Sequence, residues 1–290
     1  MTASGGGLSL RRVLDDAGSD EAVASLAERL VSRRLLGEHA DRDRARAAAR
    51  LVADHVLAHG ERFEVDADGV VPHGHVVLVR EGEDVVLLDL QLDDVALAPE
   101  VGDLVEDLAR HAGARRLAVA LPPGDVVRTA LGVGGGFRAV TCCLRRDLDH
   151  RLPAPTATAA TMEAVLRPVT REDSAQAAAW ERAPDQHLLV GHEPGDPTAV
   201  LGTVWLSTAR PMVLVQDLQV PPRRRGQGHG SALLAAVARW AQDRGSHAVG
   251  IDLAADDHVA RGLADHLGFH LVEEYCVKDL VTPTPATPDL

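Results

Sequence analysis

Twelve residues, Val220-Pro-Pro-Arg-Arg-Arg-Gly-Gln-Gly-His-Gly-Ser231, carry the clearest chemistry in the chain. Alternate glycines at Gly226, Gly228 and Gly230 let a backbone turn sharply and leave its N–H groups uncovered. The apolar run from Met212 to Val220 reads as a strand entering this loop. Ala232 to Asp243 reads as a helix leaving it, with Leu233, Val237 and Ala241 on one stripe. A helix N-terminus carries about half a positive charge, so the loop is shaped to hold a phosphate or pyrophosphate.

Three kinds of phosphate loop compete. A dinucleotide-binding turn places glycines at relative positions one, three and six, and here the third glycine falls too early. A nucleotide-triphosphate loop needs Gly-Lys-Ser/Thr, and this loop contains no lysine. What remains is Val-x-Pro-x-x-Arg-Gly-x-Gly-x-Gly. After a second apolar run, Ala248 to Leu253, comes Asp257-x-x-Ala260-x-x-Leu263-x-x-x-Leu267-Gly268-Phe269. Loop, helix, strand, helix and Gly-Phe in this order and spacing resemble the GCN5-related N-acetyltransferase (GNAT) family. Leu166 to Asp173 looks like the family's opening strand running into its first helix, so the resemblance spans about Val165 to Leu280.

That resemblance implies an acetyl-CoA co-substrate lying in a V opened by a bulge in the fourth strand. Backbone groups of Leu218, Gln219 and Val220 would meet the pantetheine. Arg225, Gly226, Gln227, Gly228, His229, Gly230 and Ser231 would present N–H groups to the pyrophosphate. An amine acceptor would attack the thioester directly in a ternary complex, with strand amides holding the oxyanion. The amine must first lose a proton. Relatives often use a Glu where this chain has Gln216, which leaves Asp217 as the nearest candidate base. The family's usual acid, a Tyr, is Ala264 here; Tyr275, the only tyrosine, substitutes only if it points into the V. Asp257 stands where the family has Asn, either for a pantetheine contact or as a helix cap. These departures keep open a second reading, a non-catalytic acyl-CoA-binding sensor or regulator. Tandem architecture with one live half also resembles mycothiol synthase, but no residue specific to its acceptor is present.

The same elements occur twice. Gly74 to Leu92 aligns without gaps on Gly202 to Val220, sharing Gly74/Gly202 and the triplet Asp89-Leu-Gln91/Asp217-Leu-Gln219. Val101 to Leu148 then aligns on Leu233 to Leu280 with the register moved by four, pairing Asp125/Asp257, Leu131/Leu263 and Gly136-Phe137/Gly268-Phe269. The expected fold is α/β: two tandem GNAT-like domains, each a mixed, mainly antiparallel sheet flanked by helices. The expected division is a degenerate domain over 1–150, a linker over 151–164 rich in Pro and small residues, an acetyl-CoA-binding domain over 165–281 and a disordered tail over 282–290. The four missing residues fall in the phosphate loop. Its N-terminal counterpart, Asp93 to Glu100, has no glycine or arginine and carries three carboxylates, which repel a pyrophosphate.

Composition narrows the partners. A chain of 290 residues with 46% hydrophobic but 2% aromatic residues must build its cores from Val, Leu and Ala. A net charge of −13 argues against nucleic acid or an anionic membrane, and mildly favours an amine-bearing acceptor. Lys278 is the sole lysine, and the Ala, Arg, Asp and Val usage suggests a GC-rich bacterial source. The first ten residues lack a signal-peptide core, so a cytoplasmic protein is expected. Cys142, Cys143 and Cys276 have no metal or redox spacing. His55 and His59 at i, i+4, followed by His73 and His75, form a rival zinc reading that no further ligand frame supports, and no metal is expected. Only one short helix, Ser174 to Glu181, fits before the next strand, so the pocket for a small-molecule or peptide amine is either open, for a peptide or large amine, or closed by the N-terminal half. A fused repeat supplies its own partner, so the expected state is a monomer with the two halves packed together.

Overall fold

The computed structural model describes residues 2–5, 8–13, 60–66, 72–148, 163–169, 185–208 and 212–280. The expected helix at 174–181, the His55/His59 pair, most of the linker and the tail lie outside them. Among the described residues no helix is long and apolar enough to cross a membrane.

The repeat read from the sequence appears as a repeat of elements. The first series is β1 (Thr2–Gly5), β2 (Leu8–Arg12), β3 (Gly60–Asp66), β4 (Pro72–Glu81), β5 (Asp84–Leu92), α1 (Ala98–His111), β6 (Arg116–Leu121), α2 (Val126–Gly134) and β7 (Arg138–Asp147). The second is β8 (Val165–Pro168), β9 (Gln186–Glu193), β10 (Asp196–Ser207), β11 (Val213–Gln219), α3 (His229–Gln242), β12 (Ala248–Ala254), α4 (His258–His266) and β13 (His270–Asp279). From β4 onward the two series match element for element. Helix α3 begins three residues earlier than its apolar stripe suggests, because His229 and Gly230 already have helical backbone.

The chain divides into two compact units, and their boundary is not the linker. Described residues up to 142 together with 273–280 form unit 1, and those from 143 to 272 form unit 2. In unit 1 the strand order is β1-β2-β3-β4-β5-β6-β13, antiparallel except for the parallel pair β5 and β6. The last strand of the second series thus lies against β6, from Glu274 opposite Leu121 to Asp279 opposite Arg116. In unit 2 the order is β7-β12-β11-β10-β9-β8, with the end of β7 beside β12, where Leu148 N–H donates to the His247 carbonyl at 2.8 Å. The two final strands have exchanged places relative to a simple division near residue 150.

Side chains fasten the exchanged strand. Lys278 on β13 makes an ion pair with Glu106 of α1, a carboxylate otherwise buried in unit 1, and lies over the Phe137 ring. The residue matching Glu106 in the second series is Ala238, also buried, which offers a lysine nothing. Cys276 and Leu280 complete the core of unit 1 with Leu10, Val76, Leu87 and Val119. Burying a Leu or Val side chain contributes about 1.5–3 kcal/mol, so these apolar contacts outweigh the Lys278–Glu106 ion pair in holding β13. As composition requires, the unit 2 core is also aliphatic, with Leu201, Val204, Leu206, Val215, Leu233 and Val237.

Gly74 and Gly202, shared by both repeats, have one physical reason. A Cβ at Gly202 would lie 2.2 Å from the Gln219 carbonyl oxygen, and one at Gly74 2.1 Å from that of Gln91. Strands β10 and β11, like β4 and β5, approach too closely there for any side chain. Gly202→Ala should therefore lower stability by about 1–3 kcal/mol in denaturant titration, the usual cost of overpacking. Gly262→Ala on α4, where a Cβ meets nothing within 4 Å, should be neutral or stabilising.

Candidate functional site

The loop between β11 and α3 has nine residues, 220–228, against five, 93–97, between β5 and α1. Its glycines do different things. Gly226 and Gly228 have φ of 73° and 85°, the left-handed region that L side chains rarely adopt. At Gly230 a Cβ would sit 3.2 Å from Leu263 Cδ2, so this glycine lets α3 pack closely on α4. The loop braces itself. Arg225 Nε donates to the Val220 carbonyl at 3.1 Å, and Gln227 Nε2 donates to the Arg223 carbonyl at 3.2 Å. His229, buried, donates from Nε2 to Gln227 Oε1 at 3.3 Å, and its Nδ1 finds no partner among the described residues.

This bracing leaves the amides unengaged. Gly228 caps α3 without a side-chain bond. Among the described residues nothing accepts a hydrogen bond from the N–H groups of Gly226 to Ser231. Six such donors thus lie in the loop and first turn at the positive end of a 14-residue helix. The arrangement suits an anion with several acceptor oxygens.

Beside the loop, the sheet opens. The β10–β11 register shifts between Trp205 and Leu206, so that Asp217 faces Trp205, Val215 faces Leu206, and Gln216 is the extra residue. Parallel pairing of β11 with β12 ends at Val215 opposite Ile251. From Gln216 to Gln219 the backbone has no β12 partner, and since the Gln219 carbonyl faces Gly202 of β10, the backbone groups on the open side are those of Leu218. The bulge expected in the fourth strand is present, and the unpaired edge that follows it leads into the loop.

Asp217 is exposed at this opening and accepts from Gln219 Nε2 at 2.7 Å. Asp252, also exposed, is the first residue of β12 past the last pair. It was not singled out from sequence, because its meaning depends on where pairing stops, which periodicity does not encode. Asp257 is used locally: its Oδ1 accepts from the Ala260 amide at 2.9 Å and caps α4. Asp125 does the same for α2 through the Arg128 amide at 3.1 Å. Tyr275 stands in unit 1, on β13 opposite Ala120, packed with Val86, Ala118 and Val277. The structure therefore gathers Asp217, Asp257 and the loop in unit 2 and leaves Tyr275 in unit 1.

Unit 1 repeats the geometry without the donors. Its β4–β5 register shifts between Val77 and Leu78, making Leu88 the extra residue, and β5–β6 pairing ends at Leu87 opposite Val119. The loop, however, is a 3-10 turn at Val95–Leu97 whose Ala96 amide is already bound by Asp94 Oδ1 at 2.9 Å. A carboxylate of the chain itself takes a donor that an anion would need. Asp89, the counterpart of Asp217, is fully buried, 3.0 Å from His75 Nε2. His75, part of the rival zinc reading, is thus bound to a carboxylate. Among the described residues no group of three His, Cys, Asp or Glu is placed to hold a metal. Burial, then the nearby Glu274 and Cys142, pushes the Cys276 thiol up to about 11, so it is no nucleophile at neutral pH.

Comparisons with known proteins agree with this geometry. Residues 156–269 match the acetyltransferase (GNAT) family. No curated protein matches the chain in sequence. Among solved structures, a GCN5-related N-acetyltransferase from Sphaerobacter thermophilus is similar at TM-score 0.58 and 15% identity, covering 94% of this chain and 96% of that one. A tandem GNAT protein from the clavulanic acid biosynthesis pathway is similar at TM-score 0.53 and 15% identity, over 94% and 98% of the two chains. A GNAT-family acetyltransferase from Colwellia psychrerythraea reaches 0.52 at 12% identity, over 93% and 99%. At such identities the likeness establishes the fold, and the match to the acetyltransferase (GNAT) family covers residues 156–269.

Proposed function

We propose that unit 2 binds acetyl-CoA and transfers its acetyl group to an amine acceptor by direct attack. The observation that carries this reading is the set of unengaged amides from Gly226 to Ser231 at the start of α3, next to the unpaired edge of β11. The pyrophosphate would take the loop amides, and Arg223 and Arg225, both exposed, add favourable charge. The pantetheine would add to the open edge of β11 beyond Val215, at Leu218, as a short strand does. The thioester carbonyl would then lie where β11 and β12 part, and an oxyanion formed there would meet fixed amides.

Attack requires a neutral amine. Asp217 stands at the opening, is solvent-accessible and has its second oxygen free to take a proton directly or through one water. Thiol departure needs little help, because a thiol pKa of about 8.5 makes the thiolate a competent leaving group. The absence of the family's tyrosine at Ala264 is therefore compatible with turnover. The carboxylates of Asp217 and Asp252, one on each side of the opening, favour an acceptor that arrives as a cation.

The test is release of CoA thiol from acetyl-CoA with pooled polyamines, aminoglycosides, amino acids and peptide N-termini. Turnover with any pool supports the proposal. Tight acetyl-CoA binding with no turnover in any pool would favour the sensor reading, which Gln216 and Ala264 in place of the family's base and acid keep in view. Under both readings calorimetry should give one acetyl-CoA per chain, because the 93–97 loop of unit 1 lacks the donors. Two equivalent sites would overturn the asymmetry between the repeats.

A further inference from the structure

Arg128, on the first turn of α2, is the largest fully buried side chain in the described structure, at 2% exposure. Arginine is almost never buried this completely unless it is paired. Its Nη1 donates to the Ala120 carbonyl of β6, and its Nη2 donates to the Leu88 carbonyl of β5 at 2.6 Å. Nη2 also lies 3.9 Å from Asp89 Oδ1, and Nε 3.5 Å from Asp125 Oδ2. Leu88 is the bulge residue, and Ala120 follows the last residue of β6 that pairs with β5. The guanidinium therefore sits in the crotch where the two strands of unit 1 separate, tying one to the other.

In the repeat alignment the same places in unit 2 are Gln216 and Asp252, with Asp217 and Asp257 for the carboxylates. Arg128 itself corresponds to Ala260. Unit 2 has every acceptor for the guanidinium and a methyl group in its place. We propose that Arg128 is a built-in stopper: its guanidinium occupies, in unit 1, the crotch that the acyl thioester enters in unit 2. The crotch of unit 1 is in these terms a guanidinium site already filled by its own chain. Unit 1 thus combines a loop without glycine and a crotch filled by Arg128. The proposal rests on the acetyl-CoA reading of unit 2 for its comparison, but the guanidinium site in unit 1 stands on its own contacts.

Two experiments on the full chain test it. Ala260→Arg transplants the stopper among the matching acceptors, and should weaken acetyl-CoA binding at least a hundredfold in calorimetry while thermal unfolding stays cooperative. Wild-type affinity in that variant would overturn the stopper. Arg128→Ala should unfold at a lower temperature, and millimolar methylguanidinium should restore part of the loss, with tetramethylammonium at the same concentration restoring none. Equal effects of the two cations, or none on the variant, would overturn the guanidinium site. If Arg128→Ala does not fold, folding restored by methylguanidinium during renaturation is the same readout. If the wild type itself fails to bind acetyl-CoA, the reading of unit 2 fails, and the methylguanidinium comparison still decides unit 1.

Discussion

Gly228→Glu should weaken acetyl-CoA binding by about 30- to 1,000-fold, equivalent to about 2–4 kcal/mol. Two effects combine. Gly228 has φ of 85°, and an L residue held in the left-handed region costs about 1–2 kcal/mol. A glutamate loop relaxes out of that geometry when empty, so the strain returns as a cost of binding. The new carboxylate also faces a pyrophosphate, and each like-charge pair at 4 Å costs about 1 kcal/mol even in bulk water. Calorimetry measures the change directly. Gly228→Asn separates the two effects, since asparagine tolerates the left-handed region and adds no charge, and its loss should be several-fold smaller. Unchanged affinity in the glutamate variant would remove the loop from the binding site.

Asp217→Asn should lower kcat by ~10²–10⁴-fold, the usual worth of a general base, with little change in the KM for acetyl-CoA. The substitution keeps shape and leaves an oxygen to accept from Gln219 Nε2, so the loss reports proton transfer and not a displaced strand. Raising the pH should recover activity in the variant by deprotonating the amine in solution. A kcat within threefold of wild type would show that water alone removes the proton. A raised KM for the acceptor with unchanged kcat would assign Asp217 to cation binding.

Much of this site was legible because glycine reports backbone geometry. Gly226 and Gly228 have the positive φ that a phosphate loop implies, and the Gly74/Gly202 identity marks a contact between strands that excludes a Cβ. The repeat supplied an internal control as well: Asp125 caps α2 where no phosphate loop exists, so Asp257 capping α4 needs no ligand to explain it. Other features depend on tertiary partners. Arg128 is one polar residue on a helix until Leu88, Ala120 and Asp89 surround it. Asp252 gains significance only from the point at which β11 and β12 part. The strand exchange was least legible, because β7 and β13 align position for position and periodicity cannot say which sheet each joins. The choice becomes visible in the pair Lys278 and Glu106, whose members stand far apart in sequence.

That exchange sets an order of events during synthesis. Unit 1 contains β1 to β6 from the first half of the chain, yet its β6 edge waits for Glu274 to Asp279. A ribosome adds about 5–20 residues per second, so β6 spends roughly 8–30 seconds without its neighbour after it emerges. An unpaired edge is a template for pairing with another chain. The hydrophobic strands β5 and β6 must survive that interval, whereas unit 2 already has all its strands when residue 272 is made. Unit 2 can therefore close first, and the N-terminal unit is the last part of the protein to finish folding. A chain stalled before β13 would carry a complete loop and sheet opening in unit 2 on a unit 1 that cannot close.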